Sequence, residues 1–198
     1  MKTRWVVGID PGFGMTGVVL RREDSREVTA WACYCLPREN APGAQVLRSA
    51  SLAQAVADCI SGWIIEHEIV VLEVCIELPI YKHNAAILIL QIRLFEDIEQ
   101  AMAQMIVAQV EQLWLTEMYP ATSKALLTGN GAANKRQMIL ASPFAGLAEV
   151  QEIKEAIADA YAHSLSAGKH QYDLTSMKMV VVEASAEGKG ATDGEDGP

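Results

Sequence analysis

Three short apolar runs, each closed by a proline, constrain this chain more than any other feature. Arg4-Trp5-Val6-Val7-Gly8-Ile9-Asp10 stops at Pro11-Gly12, residues 69–78 stop at Pro79, and residues 113–119 stop at Pro120. Runs of this length, rich in β-branched and aromatic residues, read as buried strands. Two helical stretches separate them. Over residues 45–67, Val46, Ala50, Ala53, Val56, Ala57, Ile60, Trp63 and Ile64 recur at helical spacing, and residues 84–109 contain neither Gly nor Pro. Strands that alternate with helices become parallel neighbours through right-handed crossovers.

Two further strands follow the first, over residues 16–20 and 28–34, and the polar stretch Arg21-Arg22-Glu23-Asp24-Ser25-Arg26 suits the hairpin turn between them. The segment over residues 120–136 reads as a flexible basic loop that opens a short helix over 135–141. A last helix covers residues 149–166, and residues 177–182 offer one more short strand. The expected fold is α/β, a five-stranded mixed sheet in the order β-β-β-α-β-α-β-α-α with helices on both faces. Residues 1–170 form one domain. Residues 171–198, acidic and Gly-rich, read as a disordered C-terminal tail.

The composition agrees with one domain. The chain has 198 residues, 51% of them hydrophobic, enough for a single sizeable core. No apolar stretch reaches the ~18 residues of a spanning helix. The N-terminus meets Asp10 too early for a signal peptide. Cys33, Cys35, Cys59 and Cys75 contain only a lone C-x-C and no zinc spacing, and read as reduced core thiols of a cytoplasmic protein. The net charge is −9, and residues 183–198 hold five acids against Lys189, so the remainder is still acidic at −5. A generic nucleic-acid binder carries a basic excess. Any polyanion contact here must use local basic patches or metal ions held by carboxylates.

Three places offer carboxylates for such ions. Asp10 closes the first strand before a glycine-rich turn, Pro11-Gly12-Phe13-Gly14, which puts it at the carboxyl edge of the sheet, where open α/β sheets bind ligands. The alternative is a plain turn aspartate. Glu77 ends the fourth strand, level with Asp10 if the two strands pair. Glu73 shares its face but sits further back, as a partly buried partner or a solvated charge. Glu155 and Asp159 lie four apart on one helix face, flanked by small alanines that allow close packing; the alternative is an ordinary acidic surface. Converging carboxylates suit Mg²⁺ or Mn²⁺ better than zinc. His67, His83, His163 and His170 are scattered and read as surface or packing residues. Residues 120–136 hold three cations, Lys124, Lys135 and Arg136, and no acid, which suits phosphate contact.

In order, these residues resemble the RuvC family of Holliday-junction resolvases, on the RNase H-like fold. Gly8-Ile9-Asp10-Pro11-Gly12 with Thr16-Gly17 resembles its first motif, and Ile76-Glu77, with Asn84 beyond, its second. Lys124 and Lys135 around Thr128-Gly129-x-Gly131 resemble its basic segment, and Ala158-Asp159-Ala160 its last motif. The resemblance spans residues 4–167. One position departs: members usually carry an acid three residues before the last Asp, where this chain has Ala156. Either Glu155 replaces it or the site has three carboxylates.

The resemblance implies a structure-selective endonuclease that resolves four-way DNA junctions by paired nicks, as a homodimer. It implies Asp10, Glu77, Glu155 and Asp159 as catalytic metal ligands for two Mg²⁺ (or Mn²⁺) ions per site. Lys124, Lys135 and Arg136 would contact phosphates, and Tyr81 would wedge near the crossover. It also implies a bacterial or phage-infected cell. Two rival readings are a non-catalytic junction-binding scaffold of the same fold and an actin-like ATPase, which needs two such domains and more residues than this chain has.

Overall fold

The structure is a computed structural model, and it describes residues 2–36, 44–81, 84–168 and 171–174. The order of strands and helices matches the expectation through β5, after which one helix more than expected, α3, precedes the two expected ones. The strands are β1 (Arg4–Asp10), β2 (Thr16–Arg22), β3 (Val28–Tyr34), β4 (Val71–Glu77) and β5 (Gln112–Met118). The helices are α1 (Ala44–Glu66), α2 (Ala85–Met105), α3 (Pro120–Thr128), α4 (Lys135–Ala141) and α5 (Gln151–Ser164). A sixth strand, β6 (Gln171–Asp173), was not foreseen. The strand candidate over residues 177–182 and most of the expected tail lie outside the described residues.

The sheet order is β3-β2-β1-β4-β5-β6. β1, β4 and β5 are parallel neighbours, as the crossovers require, while β2, β3 and β6 join antiparallel. Strand alternation divides the side chains between two layers. Val7, Ile9, Val18, Leu20, Leu72, Val74, Ile76, Leu113 and Leu115 enter the main core with Leu52, Val56 and Ile60 of α1 and Leu94 and Ile98 of α2. The opposite face carries α5, with Val19 packed against Ile157, Ala158, Ala160 and Tyr161.

That second face is tight because the residues on it are small. A Cβ on Gly8 would stand 1.9 Å from the carbonyl oxygen of Ala160, and one on Gly17 would stand 2.3 Å from that of Ala156. The backbone of α5 therefore rests directly on β1 and β2. Only glycine in the strands and alanine along the helix permit that approach.

Several expectations change. Residues 120–136 are not a flexible loop. Pro120 occupies the first turn of α3, and Gly129 ends it in the left-handed conformation with φ 77°. Asn134 then opens α4 with a capping box shared with Gln137. Arg21 is not a solvated hairpin charge. It is 4% exposed and donates from Nε to Ser164 Oγ at 2.9 Å and from Nη1 to the Arg22 and Ser25 carbonyls. Glu73 is neither an edge charge nor a site residue. It is fully buried, accepting from Thr116 Oγ1 at 2.5 Å and Gly168 N at 2.7 Å, with Arg4 Nε 3.5 Å away. Arg4 also lies over the Trp114 ring at 3.6 Å. All four cysteines are free, but Cys35 is exposed rather than in the core. No helix among the described residues is long and apolar enough to cross a membrane.

Candidate active site

β1 and β4 pair in parallel with Ile9 opposite Ile76. The next residues, Asp10 and Glu77, therefore stand level at the carboxyl edge of the sheet, as the strand ends predict. The turn after Asp10 is fixed by two bonds. Gly12 N donates to Asp10 O at 3.0 Å, and buried Thr16 donates from Oγ1 to Gly12 O at 3.0 Å. A small cleft of about 50 Å³ opens there, lined by Asp10, Pro11, Gly12, Glu77, Leu78, Pro79 and Gln91 of α2.

α5 crosses above this edge and brings in a residue that the sequence reading missed. His163 is 1% exposed, and its Nε2 lies 3.0 Å from Glu77 Oε2. Donor atoms of Asp10, Glu77 and His163 all fall within 4.8 Å of one another. The scattered histidines alone suggest surface or packing roles for His163, yet a sequence signal for more is present. Glu155, Asp159 and His163 follow one another at intervals of four, one stripe of the helix. His67 does pack, stacked on Trp5 with centroids 5.4 Å apart. His83 and His170 lie outside the described residues.

Asp159 adjoins the cluster. Burial, the largest influence, pushes its carboxyl upward. Glu77 adds to this, His163, Lys124 and Lys135 pull the other way, and the net shift is upward. The charges of Glu77 and His163 therefore both bear on it, in opposite directions. Glu155 faces elsewhere. It pairs with Lys135 Nζ and accepts from Gln151 Nε2 at 3.0 Å. Burial raises its pKa, but these two bonds outweigh it and hold the carboxyl below its ordinary value. Lys135 is raised, first by the bond to Glu155, against partial burial, and then by the charges of Glu155, Asp159 and Asp10. The Lys135 ammonium thus stands within electrostatic reach of the cluster while two-thirds of its side chain meets solvent.

Lys124 lies half-buried on α3, close enough to bear on Asp159, and Arg136 is exposed at the start of α4. Tyr81 is 63% exposed beyond β4. Of the eight residues singled out from the sequence, Asp10 and Glu77 are brought together with Asp159 beside them. Lys124 and Lys135 flank them, and Glu155 is engaged by Lys135.

The donor set fits a divalent cation. Two carboxylates and an imidazole converge, one buried polar ring lacks a hydrogen bond at either nitrogen, and further negative charge lies alongside. A mixed sheet whose central parallel strand ends carry acids, covered by a helix that carries more, is the arrangement expected of the RNase H-like fold.

The comparisons narrow that class. The family model described as crossover junction endodeoxyribonuclease RuvC matches residues 6–167. The chain belongs to the RuvC family, the metal-dependent crossover junction endodeoxyribonucleases. Among solved structures, the fold is similar to Thermus thermophilus RuvC, with TM-score 0.56 and 18% identity over 82% of this chain and 95% of that one. It is equally similar to T. thermophilus RuvC in complex with Holliday junction substrate, at TM-score 0.56 and 16% identity over 82% of this chain and 91% of that one. A comparison with curated proteins gives no match.

Proposed function

We propose that this chain resolves four-way DNA junctions by metal-assisted hydrolysis of the phosphodiester backbone at the Asp10–Glu77 edge. The observation that carries the reading is the convergence of Asp10, Glu77 and His163 donors within 4.8 Å, at the carboxyl edge of the sheet in a chain that the RuvC family model matches over residues 6–167. Asp10, Glu77 and Asp159 would hold the Mg²⁺ or Mn²⁺ ions, two per site by analogy with the family motifs. Cations held there would supply Lewis acidity to the scissile phosphate and to the attacking water. The protein supplies position. The parallel register sets Asp10 against Glu77, the Gly8 and Gly17 contacts set the height of α5, and Arg21 anchors its last turn at Ser164.

Glu155 takes a different task from the ligand role its spacing suggested. It keeps Lys135 extended toward the cluster until a phosphate takes over the ammonium. Lys124 and Arg136 extend the same basic surface. Tyr81, exposed past β4, would stack near the crossover. The first half of α2 leaves Ile89 and Ile92, three apart on one side of the helix, 64% and 38% exposed, an apolar face suited to a second copy of the chain. A two-fold dimer would set two sites on the two-fold symmetry of a junction. Four free cysteines suit a cytoplasmic setting.

The metal requirement is the direct test. Nicking of a synthetic junction should proceed with Mg²⁺ or Mn²⁺ and stop in excess EDTA. Ca²⁺ should leave binding intact but fail to support cleavage, because its looser coordination aligns the reacting groups poorly. Full cleavage in EDTA would overturn the reading.

The basic surface makes a separate prediction. Lys135→Ala and Lys124→Ala should each weaken junction binding and flatten the slope of log K against log salt by roughly one unit, since each lost phosphate contact removes ~0.9. Lys135→Ala should also slow cleavage at saturating protein, because Lys135 reaches Asp10 and Asp159 electrostatically. Arg21 is buried and cannot serve as the control. Arg22→Ala serves instead, because Arg22 pairs with Trp5 at the opposite end of β1 and is half exposed. Equal effects from all three would indicate diffuse electrostatics rather than a defined clamp.

A further inference from the structure

Resting on the metal-centre reading, we infer that His163 is a nitrogen ligand of that centre and biases it toward Mn²⁺ over Mg²⁺. Three observations carry this. The first is burial: the imidazole is 1% exposed on α5, one turn past Asp159. The second is the missing hydrogen bond. Neither ring nitrogen has a partner of hydrogen-bond geometry, although Nε2 lies 3.0 Å from Glu77 Oε2. A buried histidinium paired with Glu77 would aim an N–H at the carboxylate. Here the two atoms are close but not aligned as donor and acceptor. The third is spacing. Ligand atoms ~2.1 Å from an octahedral cation stand ~3.0 Å from their neighbours on adjacent vertices. Nε2 and Oε2 already have that separation, and an Asp10 oxygen completes the group.

Packing explains why the helix presents a histidine here. The α5 backbone rests on Gly8, where a Cβ would meet both Ala160 O and Ser164 N. The helix is therefore pressed close to the sheet around residue 163. Ala156, a turn before Asp159, is buried with no side-chain donor, and its carbonyl lies against Gly17. Glu155 is already held by Lys135 and Gln151. His163 is the α5 side chain whose donor atom meets both strand-end carboxylates. Magnesium is hard and keeps oxygen ligands, whereas imidazole favours first-row transition ions. One nitrogen among carboxylates should therefore favour Mn²⁺ without excluding Mg²⁺.

The test uses the full chain and the metal alone. Mn²⁺ binding is followed by electron paramagnetic resonance, and electron spin echo modulation reads any directly bonded ¹⁴N. Bound Mn²⁺ in the wild type should show histidine nitrogen modulation, and His163→Gln should lose it. His163→Gln should bind Mn²⁺ at least about tenfold more weakly, since even residues that only support ligands cost 10–100-fold. His163→Asp should bind Mn²⁺ without the nitrogen signal, and the ratio of Mn²⁺ to Mg²⁺ affinity should fall. That ratio is internal to each protein, so a general loss of stability does not imitate the effect. If His163→Gln does not fold, the signal and ratio in His163→Asp decide. Bound Mn²⁺ with no nitrogen modulation in the wild type overturns the inference, as does a signal that survives in either variant. In both cases Asp10→Asn still loses Mn²⁺, which leaves the metal centre standing. If the wild type and Asp10→Asn bind Mn²⁺ equally, the centre itself is wrong, and the inference falls with it.

Discussion

Gly8→Ala should lower the melting temperature by roughly 6–12 °C and cut junction cleavage by more than the loss of folded protein explains. The added methyl would stand 1.9 Å from Ala160 O and 2.8 Å from Ser164 N, both backbone atoms of α5 or its last turn. No rotamer change relieves such contacts; the helix must move away from the sheet. Overpacking of this kind costs about 3 kcal/mol, at the upper end of its usual range. For a domain of this size each kcal/mol is worth ~2–4 °C. The displaced helix carries Asp159 and His163. A misplacement on the order of 1 Å in an active site costs about 100-fold in rate. Gly17→Ala should act in the same direction, through the contact at 2.3 Å with Ala156 O. Gly62→Ala is the contrasting control. Gly62 lies on the exposed side of α1 with open space around its Cα, so alanine there should stabilise by ~0.5–1 kcal/mol. Thermal melts of the three variants check this, and equal small shifts for all of them would mean that α5 does not bear on the sheet.

The larger effect on chemistry is expected at the strand ends. Asp10→Asn and Glu77→Gln should each abolish nicking while leaving junction binding intact or tighter. Both remove a charged donor from the converging group without a change of shape. Each also removes negative charge from a surface that faces phosphates. Thermal stability should change little, because both positions are part-exposed at the sheet edge. Glu155→Gln should have a milder result. It frees Lys135 from its ion pair, so cleavage should slow while metal binding persists. Single-turnover cleavage and junction-binding titrations separate these outcomes.

How far the sequence foretold this site depends on the kind of signal. The edge pair was legible because two physical rules coincide. Proline stops a strand, and parallel pairing of two strands stopped in this way brings their terminal acids level. Asp10 and Glu77 are the acids next to those stops, and the register of Ile9 with Ile76 is what puts them level. Depth was not legible. Alternation places Glu73 on the same face as Glu77, but only the assembled fold shows that Thr116, Gly168 and Arg4 close around it. Arg21 sits in a polar hairpin run that reads as solvated. The register shift between Leu20 and Arg21 accompanies its burial, and the acceptor that satisfies it, Ser164, is 143 residues away.

The helix α3 was hidden for a different reason. Pro120 serves both as the stop for β5 and as the first residue of a helix, and only the first role was recognised. Gly129 ends α3 and the Asn134–Gln137 capping box opens α4, and only α4 is legible from the sequence. His163 was overlooked because histidines were weighed as a scattered set. Their positions relative to Asp159 on a helix that rests on the sheet were the informative quantity. β6 is too short for any periodic signal. It is defined by pairing with β5, closed by Leu174 N donating to Leu113 O at 2.9 Å.

Strand-specific mapping of nicks on a synthetic four-way junction tests the central claim most directly. Each of two opposing strands is end-labelled, with Mg²⁺ or Mn²⁺ present. The wild type should introduce paired nicks at symmetric positions about the crossover and leave a linear duplex of the same sequence uncut. Asp10→Asn should bind the junction and leave every strand whole. Nicking of the linear duplex at the same rate, or undiminished nicking by Asp10→Asn, would contradict the account.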